Sequence, residues 1–296
     1  MAEDQTIERN PRTQHPQPKF PPQHQDMPGA ENKMTPRPDH GESSYRGSGK
    51  LKDRVAIITG GDSGIGKAVA IAFAREGADV LISYLNEKED AEDSVRHVQQ
   101  AGRKALAIAG DIRDEAHCRK IVDEAVREFG RIDILVNNAA TQTLYDSILD
   151  IPAEDFARTF ETNLYSMFYL CKAAVPHMQP GSTIINTTSI QAYQPSPTLL
   201  PYASTKGAIS TFTKALAQEL VKKGIRVNMV APGPVWTPLI PGSFPEDQVA
   251  KFGSSNPMER PAQPVEVAPA YVYLASQDSS FVVGEVIGVT GGKLLP

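Results

Sequence analysis

The sequence predicts an α/β protein built on a doubly wound, parallel, seven-stranded sheet, and three observations predict it. From Leu51 onward, short apolar runs alternate with longer stretches of helical periodicity. The runs are apolar throughout, as strands covered by helices on both faces must be. A glycine-rich stretch follows the first run directly and opens the first helix. Right-handed crossovers then wind the sheet in both directions from its middle. No internal repeat and no second core is visible, so residues 51–296 are expected to form one domain.

Each element follows from its own residues. Arg54 to Thr59 holds Val-Ala-Ile-Ile-Thr, a buried strand, and Gly64 to Glu76 is the helix after it. Ala78 to Tyr84 is the second strand, followed by a helix from Glu87 to Ala101. Ala105 to Ala109 is the third, and Asp114 caps a helix that runs to Phe129. Ile132 to Val136 is the fourth strand. A long helical region spans Ala153 to Met178, interrupted near Pro176, which has no N–H to give to the helix. Ser182 to Thr188 is the fifth strand, Tyr202 to Lys223 a long helix, and Ile225 to Val230 the sixth strand. Val265 to Ser276 is helical and Val286 to Thr290 closes the sheet.

The first fifty residues differ in kind. Met1 to Lys50 is rich in Pro, Gln, His and charge. Pro11, Pro16, Pro18, Pro21, Pro22, Pro28, Pro36 and Pro38 deny it regular hydrogen bonding, and it has too little apolar surface to fold alone. A flexible tail is the first expectation. The other is an extended arm laid over its own domain or a neighbouring subunit, anchored by Phe20, Met27, Met34 and Tyr45. Glu3, Asp4, Glu8 and Asp26 argue against a transit peptide.

The formal net charge of −5 over 296 residues argues against nucleic acid as a partner. Two cysteines, Cys118 and Cys171, fall in helical segments with no metal-ligand spacing, so thiols in a reducing cytoplasm are expected, and neither a metal nor a disulfide. No apolar run reaches the length of a membrane span. His97, His117 and His177 read as solvated.

The first strand ends in Thr59-Gly60-Gly61-Asp62-Ser63-Gly64-Ile65-Gly66. Gly60 allows a tight turn, Gly64 lets the backbone approach a pyrophosphate, and Gly66 lets the helix pack close to the strand. The helix N-terminus offers free N–H groups to the phosphates. Strand before and helix after is the context such a turn needs, and it marks a Rossmann-type dinucleotide site. Further on, Tyr202 and Lys206 lie four apart, on one face of a helix. An ammonium there lowers the phenol pKa from about 10 toward the range of a working base. A surface Tyr stacked on its own Lys is the bland alternative. Ser189, thirteen residues upstream of Tyr202, favours the chemical one.

Taken together, Thr59–Gly66, Asn137-Asn138-Ala139-Ala140, Ser189, Tyr202-x-x-x-Lys206 and Pro232-Gly233 resemble the short-chain dehydrogenase/reductase family, in order and spacing, from Leu51 to the C-terminus. The Pro-rich leader, Ile190-Gln191-Ala192-Tyr193 and Ala231 to Thr237 resemble a subgroup of bacterial oxidoreductases similar to plant glucose and ribitol dehydrogenase homologues. Ala140 stands where the family usually has Gly. The resemblance implies hydride transfer between a nicotinamide and a carbonyl or alcohol. It implies that Tyr202 carries the proton, Lys206 lowers the Tyr202 pKa and holds the nicotinamide ribose, Ser189 bonds the substrate oxygen, and Asn163 holds a relay water. It implies that Asp111 and Ile112 contact the adenine, and that Asn138, Ala139 and Ala140 line the ribose and the nicotinamide floor. Pro232, Gly233, Val235 and Thr237 close over the nicotinamide amide and pyrophosphate. The expected cofactor set is completed by Gly60, Asp62, Ser63, Gly64, Ile65, Gly66, Tyr84 and Leu85. A homotetramer built on the two long helices and the last strand is also implied.

The end of the second strand separates NAD from NADP. Ser83-Tyr84-Leu85-Asn86-Glu87 offers no cation to a 2′-phosphate, Asp62 adds negative charge, and Ser63 stands where NADP-preferring relatives often have Arg. NAD is the expected cofactor, with NADP the alternative. The substrate pocket is expected between Thr141 to Asp146, Gln191 to Leu200 and Trp236 to Phe252. Gln142, Gln191 and Tyr193 would supply hydrogen bonds there, and Leu199, Leu200 and Trp236 apolar surface. That mixture suits a small polyol, sugar or aldehyde, with Pro238 to Phe252 as a lid. A different class also fits: a non-catalytic dinucleotide-binding sensor or structural protein whose tail recruits a partner.

Overall fold

A computed structural model describes residues 5–295, so the start of the leader, with Glu3 and Asp4, and residue 296 lie outside the described residues. The seven strands are β1 (Val55–Thr59), β2 (Asp79–Tyr84), β3 (Ala105–Ala109), β4 (Ile132–Asn137), β5 (Met178–Thr187), β6 (Arg226–Pro232) and β7 (Val286–Val289). They lie in the order β3-β2-β1-β4-β5-β6-β7, all parallel. Winding reverses between β1 and β4. In open α/β sheets the crevice beyond the carboxyl ends of such a pair is where ligands bind.

Alternation along the strands sorts the core into two layers. Ala56 and Ile58 face α1 (Gly64–Arg75) and α9 (Pro264–Ala275), whereas Ile57, Leu81 and Leu135 face the layer of α3 (Glu115–Phe129), α5 (Ser166–Ala174) and α6 (Leu200–Leu220). These strand residues are fully buried, and each Ile and Leu among them contributes roughly 1.5–3 kcal/mol. α2 (Lys88–Gln100) and α4 (Ala153–Phe160) complete the cover. α9 begins on a capping box formed by Gln263 and Glu266, with Pro264 in its first turn.

Two expectations need adjusting. The helix before β5 ends at Ala174, and a 3₁₀ turn over Val175–His177 contains the proline. β5 therefore starts at Met178, which pairs with Ile132 ahead of an irregularity in register. The Ala153-to-Met178 helix is also broken by a π turn over Glu161–Tyr165, with buried Asn163 inside it. Such insertions widen a helix locally and recur at functional sites.

The leader is not a free tail. Phe20, Met34 and Tyr45 are buried, and Phe20 and Met34 share a small core with Trp236, Ile240 and Val249. Phe20 N–H donates to Ala250 O and Gln25 N–H to Pro241 O, both at 2.9 Å. Trp236 Nε1 donates to Pro36 O at 2.8 Å. Further on, Tyr45 donates to Glu76 Oε1 at 2.8 Å. The stretch expected to be a lid folds into α7 (Leu239–Ser243) and α8 (Glu246–Ala250) and is tied down by this arm. A proline-rich chain cannot make its own ladder, but it bonds and packs well against a finished surface.

Candidate active site

Strand ends β1, β4, β5 and β6 surround a cavity of about 620 Å³. The glycine turn forms its floor. Gly60 takes φ +63° and Gly64 φ +51°, a region that favours glycine. A Cβ on Gly66 would stand 1.9 Å from Gly60 O, so the helix approaches the strand as closely as only glycine permits. Thr59 Oγ1 accepts from Asn138 N–H at 3.0 Å and Ala139 N–H at 3.1 Å, which fixes the end of β4 against the turn. All the expected cofactor residues line this cavity except Gly66, which supports it from behind.

Tyr202 and Ser189 meet at the same cavity. Ser189 follows β5 and caps a 3₁₀ turn, its Oγ accepting from Gln191 N–H at 3.1 Å. Lys206 is 2% exposed. Its Nζ lies 5.2 Å from the Tyr202 ring centroid and donates to Thr187 O at 2.8 Å. The expected acidification of the phenol by this ammonium is not met within the protein alone. Burial pushes Tyr202 up to about 12, against a smaller downward pull from the Ser189 hydroxyl. Burial likewise brings Lys206 down to about 7. Desolvation goes uncompensated because the Lys206 ammonium has a carbonyl partner, not a carboxylate.

Asn163 lies behind the cavity. Its Oδ1 accepts from Thr141 N–H at 2.8 Å, and its Nδ2 donates to Thr141 O at 2.9 Å and Thr205 Oγ1 at 3.1 Å. Those bonds tie the π turn to the β4 loop and to α6, one residue before Lys206. Behind it, Asn137 donates to Asn186 and Asn186 to Thr213, both at 2.9 Å, a buried ladder joining β4, β5 and α6.

At the end of the cavity beyond β3, Asp111 is held below the usual carboxylate range by Arg113, which it binds through both oxygens. Asp62 is pushed up to about 7 by burial first, then by the charges of Glu87 and Glu31. At the other end, Gln142 and Gln191 reach the cavity. Gln142 donates to Ser243 Oγ at 2.8 Å, while Gln191 Oε1 accepts from Ser196 N–H at 2.6 Å. Tyr193, Leu200 and Trp236 do not line it, contrary to expectation. Trp236 turns into the core beneath the arm, where its large apolar surface is fully buried. Leu239, Ile240 and Phe244 take the wall instead.

Residues 60–293 match the model of a family described as Enoyl-(Acyl carrier protein) reductase. The chain belongs to the short-chain dehydrogenase/reductase family. An uncharacterized oxidoreductase, YhdF, of Bacillus subtilis is 56% identical over 275 residues, 93% of this chain and 95% of its own. A protein of Daucus carota named glucose and ribitol dehydrogenase is 48% identical over 283 residues, 93% of this chain and 97% of its own. Among solved structures, a short chain dehydrogenase from Burkholderia cenocepacia in complex with NADP superimposes with a TM-score of 0.77 at 31% identity, covering 82% of this chain and 98% of that one. Oxidoreductase activity on a CH–OH or C=O group follows from this membership.

Sequence reasoning missed several residues. Thr187, the acceptor for Lys206, carries no signal beyond ending a strand. Glu31 reaches the turn from outside the domain, and its Oε1 accepts from Gly64 N–H at 2.7 Å. His117 is not solvated: it packs on Gly110, so that a Cβ there would lie 2.3 Å from the ring, and its Nε2 is buried. Phe156 and Phe168, which the sequence leaves open between core and interface, stand 36% and 47% exposed. Both cysteines are buried free thiols, as expected.

Proposed function

We propose that the protein is an NAD-dependent dehydrogenase of small polyols, sugars or aldehydes. The convergence of Ser189, Tyr202 and Lys206 on the cavity floored by the glycine turn carries this reading. The turn fits a pyrophosphate, because its glycines leave no Cβ in the way and the start of α1 has N–H groups with no intrahelical acceptor. A bound nicotinamide supplies or accepts the hydride. Tyr202 gives its proton to the substrate oxygen in reduction and takes it in oxidation. Ser189 donates to the same oxygen and stabilises its developing charge. Lys206, titrating near neutrality, holds the nicotinamide ribose and recharges the phenol. Asn163 keeps α6 and the β4 loop in register, and so keeps Lys206 beneath Tyr202.

The choice of NAD is supported by charge. A 2′-phosphate at the end of β2 would lie near the carboxyl groups of Asp62 and Glu87, which line the cavity, and the nearby Arg113 is already bound to Asp111. The choice of substrate is supported by the relative named glucose and ribitol dehydrogenase and by Gln142 and Gln191 at the cavity wall. The sensor reading loses ground because the arm buries Phe20, Met34 and Tyr45 against its own domain.

Purified full-length protein is expected to reduce NAD with ribitol, glucose or a related polyol, seen as the absorbance of reduced nicotinamide. NADH should bind more tightly than NADPH in a fluorescence titration. Dinucleotide binding without turnover on polyols, sugars and aldehydes would favour the sensor, and tighter NADPH binding would reverse the cofactor assignment.

A cytoplasmic homotetramer is part of the same reading. Among the described residues, no helix is long and apolar enough to cross a membrane. Phe156, Tyr165 and Phe168 leave an apolar surface on α4, the π turn and α5 that a second copy would cover. Light scattering is expected to give four times the 32.1 kDa chain mass; a monomer would refute the assembly.

A further inference from the structure

The leader supplies the glycine turn with a carboxylate. Glu31 is 6% exposed. Besides accepting from Gly64 N–H through Oε1, it accepts from Lys67 Nζ through Oε2, each at 2.7 Å. A buried carboxylate is costly unless it is paired and its oxygens are bonded. This one has a second cation, since His40 Nε2 lies 2.5 Å from Oε1. Burial opposes the charge on His40, but Glu31 and Glu42 outweigh it and lift its pKa to about 9. Lys67 is shared with Asp93 of α2 at 2.7 Å, and Glu31 N–H donates to Asp90 Oδ2 at 2.9 Å. Arm, first turn of α1 and start of α2 are thus joined at one point. From α2, Ser94 also holds the turn, donating to Asp62 O at 2.9 Å.

The opening N–H groups of a helix have no intrahelical acceptor. Glu31 takes that of Gly64 and leaves those of Ile65 and Gly66 for an anion. With Lys67 and His40 balancing its charge, Glu31 fixes the backbone without presenting a bare carboxylate to a phosphate. The arm also enters the cavity wall through Met27 and Pro28. Gly29 beside them, at φ +80°, passes so close to Pro238 that a Cβ would lie 2.8 Å from its carbonyl oxygen.

We propose that Glu31 is a positioning residue for the dinucleotide: the arm, and not the domain alone, holds the glycine turn in the shape that binds the pyrophosphate. This rests on the reading of the cavity as a nicotinamide dinucleotide site. The test uses full-length protein, with NADH binding read by fluorescence and stability by thermal melting. Glu31→Ala is expected to weaken NADH binding about tenfold or more, as for the loss of a hydrogen bond to a charged group. Tyr45→Phe is the control. It deletes an arm bond at the opposite end of α1 and is expected to lower the melting temperature while NADH affinity stays within about twofold. Unchanged or tighter binding by Glu31→Ala, or equal loss of affinity in both variants, overturns the proposal. Should Glu31→Ala not fold, Glu31→Gln, which keeps the shape and drops the charge, carries the same test. Weakening by about threefold or more supports the role, and unchanged binding overturns it. A wild-type chain that binds neither NADH nor NADPH overturns the reading of the cavity instead.

Discussion

Replacing Tyr202 with Phe is expected to lower turnover by about two to four orders of magnitude, the range a positioned proton donor contributes. NADH binding should stay within about twofold, because the ring and its packing remain and only the hydroxyl is lost. The proton inventory explains the size of the effect. With the phenol pushed up to about 12 and Lys206 brought down to about 7, the resting pair is a neutral phenol over a lysine near its titration point. A neutral phenol is a ready donor to a carbonyl being reduced. In oxidation it must lose its proton first, which Lys206 favours whenever it is charged, 5.2 Å from the ring. Phe can do neither. Ser189 remains to polarise the oxygen, which accounts for a small residual rate. Steady-state kinetics on the best substrate, beside a binding titration, checks both halves. Turnover near the wild-type value would remove Tyr202 from the proton-carrying role.

The largest loss of stability is expected from Trp236→Ala, at about 3–5 kcal/mol. Trp236 is fully buried and sits where Phe20 and Met34 of the arm share a core with the domain. Its ring centroid lies 4.3 Å from that of Phe20 and 6.4 Å from that of Phe252. Its Nε1–H also satisfies Pro36 O at 2.8 Å. Truncation removes the filling of that core, leaves an arm carbonyl without its donor, and unties α7 and α8 from the leader. In a chain of this size the melting temperature should fall on the order of 10 °C. A fall of only one or two degrees in thermal melting would show that the arm lies on the surface without contributing to the fold.

How much of this was legible beforehand depends on the distance over which each feature is decided. β1 was visible because Val-Ala-Ile-Ile is a short apolar run ended by a glycine turn, which suits a strand covered on both faces. The glycine turn was visible because the conformations of Gly60 and Gly64 and the close approach at Gly66 are demands that a few neighbouring residues make on one another. Tyr202 and Lys206 were readable as a pair because a helix places residues four apart on one face. The break in the helix at Asn163 was not readable, since a π turn there is held by Thr141 and Thr205, far away in the chain. Trp236 was misplaced for a related reason. An indole suits a pocket wall or a core equally well, and the arm that makes the core lies two hundred residues earlier.

Local patterns, acting over a few positions, were therefore enough to specify the sheet, its winding, the glycine turn and the pairing of Tyr202 with Lys206. The state of that pair was set by packing. Burial without a carboxylate partner moved the phenol up and the lysine down, the reverse of what their proximity in the chain suggests. Packing also settled the fate of the leader. Prolines forbid it a structure of its own, yet a completed surface offers its N–H and C=O groups partners and its few aromatic and sulfur side chains a core. Whether such a segment is ordered depends on contacts between parts of the chain far apart in sequence, which no local pattern encodes.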